Sequence, residues 1–297
     1  MDEIVELSNG ILRAAVRPAL GAGLAYFDYI GGSAPQPLFR PEPVAGPVHP
    51  FDLAMIILLP WSNRISGGGF SFAGKRHDLL PNVAGDLFPL HGNAFSSHWT
   101  VAGRTGDHVL HLQLRSKGPG PFDYSAALTY TLDGATLRLK LAVTNAGDEP
   151  LPYGAGFHPW LVRDAETVLT APATGVWPED EQHLPAGVAP VAPPPEWDFS
   201  APRILPTGFI NNCFTGWTRA ATISWPRRGL QLSVDASSEL SNYVVYSPGA
   251  ASDFFCFEPV SHPVDAFNLS GGPEANGLVI LEPNAILTVE ASFTVRT

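Results

Sequence analysis

The sequence predicts an all-β protein, an antiparallel sandwich read as one domain over residues 1–297, and three observations carry the fold class. Apolar and polar residues alternate with a period of two in several segments, which places one face in a core and the other in water or against a second sheet. No window of 12 or more residues shows a helical i, i+3, i+4, i+7 stripe free of Gly and Pro. The 29 glycines and 30 prolines are about one residue in five, the punctuation that many short strands require.

Taken in order, EIVEL and ILRAAV flank Asn9-Gly10 and read as a first hairpin. Leu53 to Leu59 is the longest strongly apolar stretch, far short of the roughly 20 residues that span a bilayer. Leu110, Leu112 and Leu114 alternate with His111, Gln113 and Arg115. Tyr124, Ala126, Leu128, Tyr130 and Leu132 form the next row; Asp133-Gly134 turns the chain into Leu137, Leu139, Leu141 and Val143. The proline-rich segment Pro185 to Pro206 contains Trp197 and Phe199, so it reads as a connection packed on the domain rather than a tether. Leu287, Val289, Ala291, Phe293 and Val295 form a closing strand.

With 17 basic and 28 acidic residues, the net charge is −11 and no basic run exists, which argues against nucleic acid and anionic membranes as partners. The N-terminus opens on acids and shows no signal-peptide pattern. Cys213 and Cys256 cannot build a disulfide framework and read as buried free thiols, so a cytoplasmic location is expected. Phosphate loops, dinucleotide fingerprints, nucleophile elbows and zinc motifs are all missing. The nine histidines are scattered, and no metal is expected.

Chemistry-bearing side chains gather in four segments: 60–82, 89–99, 154–161 and 256–268. His158 precedes Pro159, which biases it towards an extended conformation, and Trp160 would share its face in a strand. An imidazole beside an indole suits a sugar, with C–H groups for stacking and hydroxyls at the edge; a hydrogen-bonded core histidine is the alternative. His91 precedes Gly92, where the backbone can turn sharply or let a ligand approach. Glu258 sits between aromatics and a proline, a setting that raises a carboxyl pKa and improves it as a base near neutrality. An ion pair with Arg64 is the structural alternative for it. Arg64 is followed closely by Ser66-Gly67-Gly68-Gly69, read as a hairpin turn, and its fork suits vicinal hydroxyls.

In register, these segments resemble the aldose 1-epimerase (galactose mutarotase) family. The resemblance runs through Asn63-Arg64-Ile65, Gly69-Phe70, Asn82, His91-Gly92 with Trp99, and His158-Pro159-Trp160. It continues through Asn211-Asn212-Cys213-Phe214, Glu258 with Pro263 and Asp265-Ala266, and Leu281-Glu282-Pro283. It implies a single large antiparallel β-supersandwich of the galactose mutarotase type. It also implies an activity: interconversion of the α and β anomers of a free monosaccharide by ring opening and reclosure, with no cofactor. The implied roles are Glu258 as base on the anomeric hydroxyl, His158 as acid on the ring oxygen and His91 as a hydrogen-bonding group near that oxygen. Arg64, Asn211 and Trp160 are implied to hold the substrate. Asn211 stands where many members carry an aspartate, and it loses the charge-assisted bond to a hydroxyl.

Two other readings stay open at this point. A hexose-6-phosphate 1-epimerase would want further cations, for which Arg64, Lys75 and Arg76 are the candidates. A non-catalytic sugar-binding protein would have no use for the acid–base pair. The sugar and the oligomeric state are not legible in the sequence.

Overall fold

The computed structural model describes residues 4–297; the acidic Asp2 and Glu3 lie outside the described residues. Two large antiparallel sheets, of 10 and 9 strands, carry most of the chain, with two small two-stranded sheets beside them. Among the described residues no α-helix forms, only short 3-10 turns. Both predicted hairpins are present. Val5–Ser8 pairs with Leu12–Arg17, and Asn9 Oδ1 accepts from the backbone N–H groups of Ile11 and Leu12 at 3.0 and 2.9 Å. Asp123–Asp133 pairs with Thr136–Asn145 so that Asp133 faces Thr136 and the loop is Gly134-Ala135. The predicted rows on Val109–Lys117, Asp123–Asp133, Thr136–Asn145 and Ile286–Arg296 all point inwards in the 9-stranded sheet.

The proline-rich segment is packed, as its aromatics suggest. Phe199 is buried with its ring 5.7 Å from that of Phe214, and Val191 exchanges hydrogen bonds with Val176. The glycine run does not make the hairpin expected of it. Gly69 N–H closes a turn onto Ser66 O, while the hairpin of Gly69–Phe72 and Lys75–Asp78 turns at Ala73-Gly74.

The central strands of the 10-stranded sheet are covered on both faces. Met55–Leu58 is buried throughout, and Gly156–Val162 and Phe254–Val260 nearly so. In these strands Met55, Ile57, Phe157, Leu161, Phe255 and Phe257 belong to the large core. The residues between them, Ile56, Leu58, Trp160, Cys256 and Val260, join a second, smaller cluster on the opposite face. That second face is where the candidate site forms.

Candidate active site

Two rows of side chains cross the outer face of the sheet at its centre. Gly156 faces Val260 and Trp160 faces Cys256, which sets His158 opposite Glu258 on adjoining strands. Glu258 in turn faces Val244, and Val244 faces Cys213. The next row runs Trp160, Cys256, Tyr246, Asn211. Side chains opposite one another on neighbouring strands have Cβ atoms about 5 Å apart, close enough for an imidazole to meet a carboxylate. His158 Nε2 lies 3.3 Å from Glu258 Oε1.

The pair is buried at the wall of a pocket. His158 is 7% exposed and Glu258 2%. Burial lowers the His158 pKa from 6.5 to about 3 and raises that of Glu258 well above the carboxylate range; the Arg64 charge opposes the latter in part. Both directions favour the uncharged pair, in which one proton is shared between carboxyl and imidazole. His158 Nδ1 and Glu258 Oε2 are buried without a hydrogen-bond partner, two polar atoms that a protein normally satisfies. Trp160 shares the face of His158, as its spacing predicts, and stacks on it with ring centroids 4.0 Å apart and planes at 25°.

His91 arrives from a loop. Its φ is 59° and that of Gly92 is 66°, so the backbone does turn sharply there. Asn82 clasps the loop: its amide nitrogen donates to Leu90 O and Gly92 O at 2.9 and 2.6 Å, and its Oδ1 accepts from Leu90 N–H at 2.7 Å. His91 Nδ1 accepts from the Asn63 backbone N–H at 2.9 Å, so in the neutral ring the proton sits on Nε2. Burial, then the nearby His158, keeps the pKa of His91 well below 6.5, making that neutral donor its resting form. The His91 and His158 rings lie 5.4 Å apart, edge to face.

Arg64 does not pair with Glu258. Asp86 takes both Nε, at 3.3 Å, and Nη2, at 2.8 Å, which fixes the guanidinium at the pocket wall. Asp265 holds the next turn through the Ser66 N–H and hydroxyl at 2.9 and 2.6 Å. His262 illustrates the structural alternative weighed for His158. Its Nε2 accepts from Ser62 N–H at 3.1 Å and its Nδ1 bonds Pro263 O at 2.8 Å, leaving nothing for a ligand.

One pocket of about 450 Å³ is lined by all six singled-out residues: Arg64, His91, His158, Trp160, Asn211 and Glu258. The volume suits a small polar ligand. Trp61, Trp99 and Trp217 are instead buried in the main core. Arg40, Phe51, His183, Phe209, Tyr246 and Phe254 also line the pocket, and no motif marks them. Tyr246 comes from a strand buried on both faces and without alternation, and the others from loops or strand ends whose partners are remote in sequence. Lys75 and Arg76 do not reach the pocket. They pair with Glu149 and Asp78 on an exposed hairpin.

Among the described residues one group could hold a metal ion: a ligand atom from each of His158, Cys256 and Glu258 lies within 4.8 Å of the others. The Cys256 thiol is fully buried, and desolvation followed by the Glu258 charge pushes its pKa up, so it rests as a neutral thiol. An ion there would occupy both members of the acid–base pair.

A buried carboxyl and imidazole in contact, a neutral histidine donor and an arginine pinned by Asp86 meet around one pocket. Residues 3–294 match the aldose 1-epimerase family, and the chain belongs to it. It is 35% identical over 267 residues to the uncharacterized protein YphB of Escherichia coli K12, covering 88% of this chain and 89% of that one. Its fold is similar to the crystal structure of a putative aldose 1-epimerase from the same organism, with 32% identity, a TM-score of 0.90 and 99% of each chain covered. A galactose mutarotase-like protein from Clostridium acetobutylicum has the same fold at 18% identity, with a TM-score of 0.86 over 98% of this chain and 94% of that one.

Proposed function

We propose that the protein is an aldose 1-epimerase that interconverts the α and β anomers of a free monosaccharide, and that it works without a cofactor. The observation that carries the reading is the His158–Glu258 contact of 3.3 Å, buried at the floor of a polar pocket. Ring opening removes a proton from the anomeric hydroxyl and delivers one to the ring oxygen. Those two oxygens are bonded to the same carbon, so acid and base must stand side by side. In the uncharged pair the proton is on Glu258. Its transfer to His158 yields a carboxylate base and an imidazolium acid with no change in net charge.

Glu258 then takes the hydroxyl proton as the C1–O5 bond breaks and His158 protonates O5. The free aldehyde rotates about C1–C2. Reclosure on the other face returns both protons with the roles exchanged. His91 Nε2–H donates towards the ring oxygen, a fixed donor where negative charge develops. Arg64, held by Asp86, offers its remaining donor capacity to hydroxyls, and Trp160 backs the His158 ring by stacking on it. Of the three cations named for the phosphorylated-sugar reading, Lys75 and Arg76 are committed elsewhere and only Arg64 lines the pocket, where Arg40 joins it.

The test is NMR or polarimetry on fresh α-galactose and α-glucose. Wild type is expected to accelerate the approach to anomeric equilibrium, and Glu258→Gln to abolish the acceleration. A wild type no faster than buffer across a panel of aldoses would overturn the reading.

A further inference from the structure

The Asn211 end of the pocket contains an acidic side chain that the sequence does not mark. Glu179 belongs to a short loop following the Gly175–Val176 strand, closed on itself by a bridge between Glu179 and Pro185 and by Asp180 N–H to Leu184 O at 2.8 Å. Its Oε2 accepts from Asn211 Nδ2 at 3.0 Å and lies 3.2 Å from His183 Nδ1. Asn211 and His183 line both the pocket and the small recess next to it, and Glu179 lines the recess alone.

A carboxylate only accepts hydrogen bonds, so this contact decides which way the amide faces. Nδ2 is turned to Glu179 and Oδ1 is left over. Among the described residues no donor bonds Oδ1, and it is not one of the buried atoms lacking a partner, so it is free for a ligand at a residue that lines both the pocket and the recess beside it. An unrestrained asparagine presents a donor or an acceptor as its ligand demands. This one is held as an acceptor. The same carboxylate takes the Nδ1 proton of His183 and leaves that ring's Nε2 as a second acceptor in its neutral form.

We propose that Glu179 is a positioning residue for sugar recognition: it fixes Asn211 so that Oδ1 accepts a hydrogen bond from a hydroxyl of the aldose. The inference rests on the pocket taking an aldose, and it sharpens the substrate class. A carboxylate behind an acceptor favours hydroxyl donors and disfavours a phosphate or carboxylate substituent at this end of the ligand.

A double-mutant cycle tests it. N211D alone sets a second carboxylate against Glu179 and is expected to raise KM about tenfold with kcat nearly unchanged, the mark of lost binding common to ground and transition states. E179Q frees the amide to turn over and is expected to raise KM about threefold, within the usual worth of a hydrogen bond. In N211D/E179Q an amide at position 179 donates to a carboxylate at position 211, and KM is expected to return to within about twofold of wild type. A merely structural role would lower thermal stability without this reciprocal rescue, so melting temperatures are recorded for all four proteins.

A double variant no better than N211D, or losses confined to kcat, would overturn the proposal while leaving the epimerase reading intact. The same cycle read as Kd by calorimetry with galactose and glucose separates the two ideas. Rescue in Kd without any anomerisation refutes the enzyme and keeps the positioning role. A wild type that binds neither sugar refutes the positioning role.

Discussion

Replacing Gly92 with alanine provides a measure of how tightly the His91 loop is built. Gly92 has φ +66°, and a Cβ there would sit 2.0 Å from Leu59 O and 2.6 Å from Pro60 Cδ. Leu59 O cannot easily yield, because it accepts from the Asn93 and Ala94 N–H groups at 3.0 and 3.2 Å. Real Cβ contacts stay beyond 3.0 Å, so the backbone has to move by about 1 Å. Gly134 is the control: its φ is +54°, but nothing lies within 4 Å of the added carbon. The left-handed conformation alone costs about 1–2 kcal/mol, the value expected for Gly134→Ala. Gly92→Ala adds the displaced backbone and is expected to cost about 3 kcal/mol or more in urea titrations. A displacement near 1 Å at His91 is expected to lower kcat/KM about a hundredfold, while Gly134→Ala leaves it unchanged. Equal destabilisation of the two variants, or full activity in Gly92→Ala, would refute the reasoning.

Three further outcomes follow from the buried titratable groups. Activity is expected to be bell-shaped in pH, because the His158–Glu258 pair works with one shared proton. Acid adds a second proton to the pair and alkali removes the last one, and a single-limbed profile would contradict this. Stability is expected to fall as pH drops from 6.5 towards 4: burial depresses the folded-state pKa of His262 to about 4, so the unfolded chain binds the proton first. At about 1.4 kcal/mol per pH unit, that histidine alone costs the fold roughly 3 kcal/mol by pH 4, and urea titrations along this range check it. Cys213 and Cys256 are both buried, and desolvation raises both thiol pKa values, so maleimide labelling is expected only at the rate of unfolding; fast labelling of the native protein would refute that.

Much of the fold was legible because its signals are local. Alternation along the Asp123–Asp133 and Thr136–Asn145 strands needs one core face, and Asn9-Gly10 needs only its own turn geometry. The strands of the site were harder to read from pattern alone. Buried on both faces, Gly156–Val162 and Phe254–Val260 show no alternation, and their functional residues emerged from composition and from the family resemblance. The turn at Ala73-Gly74 was misplaced because three consecutive glycines outweighed the single Gly74. Arg40 left no trace: its guanidinium stacks 4.6 Å from the Phe254 ring and bonds Phe51 O at 2.8 Å, contacts set by tertiary structure. The partner of Arg64 was equally hidden, since Asp86 lies in a loop that gives no sign of its destination.

The central claim is that Glu258 and His158 pass protons to and from one anomeric centre. The most direct measurement is saturation-transfer NMR of α- and β-galactose exchange at equilibrium, with wild type, Glu258→Gln and His158→Gln compared at equal concentration. Rapid exchange is expected in wild type and the buffer rate in both variants, with each still binding galactose. Undiminished exchange in either folded variant would contradict it.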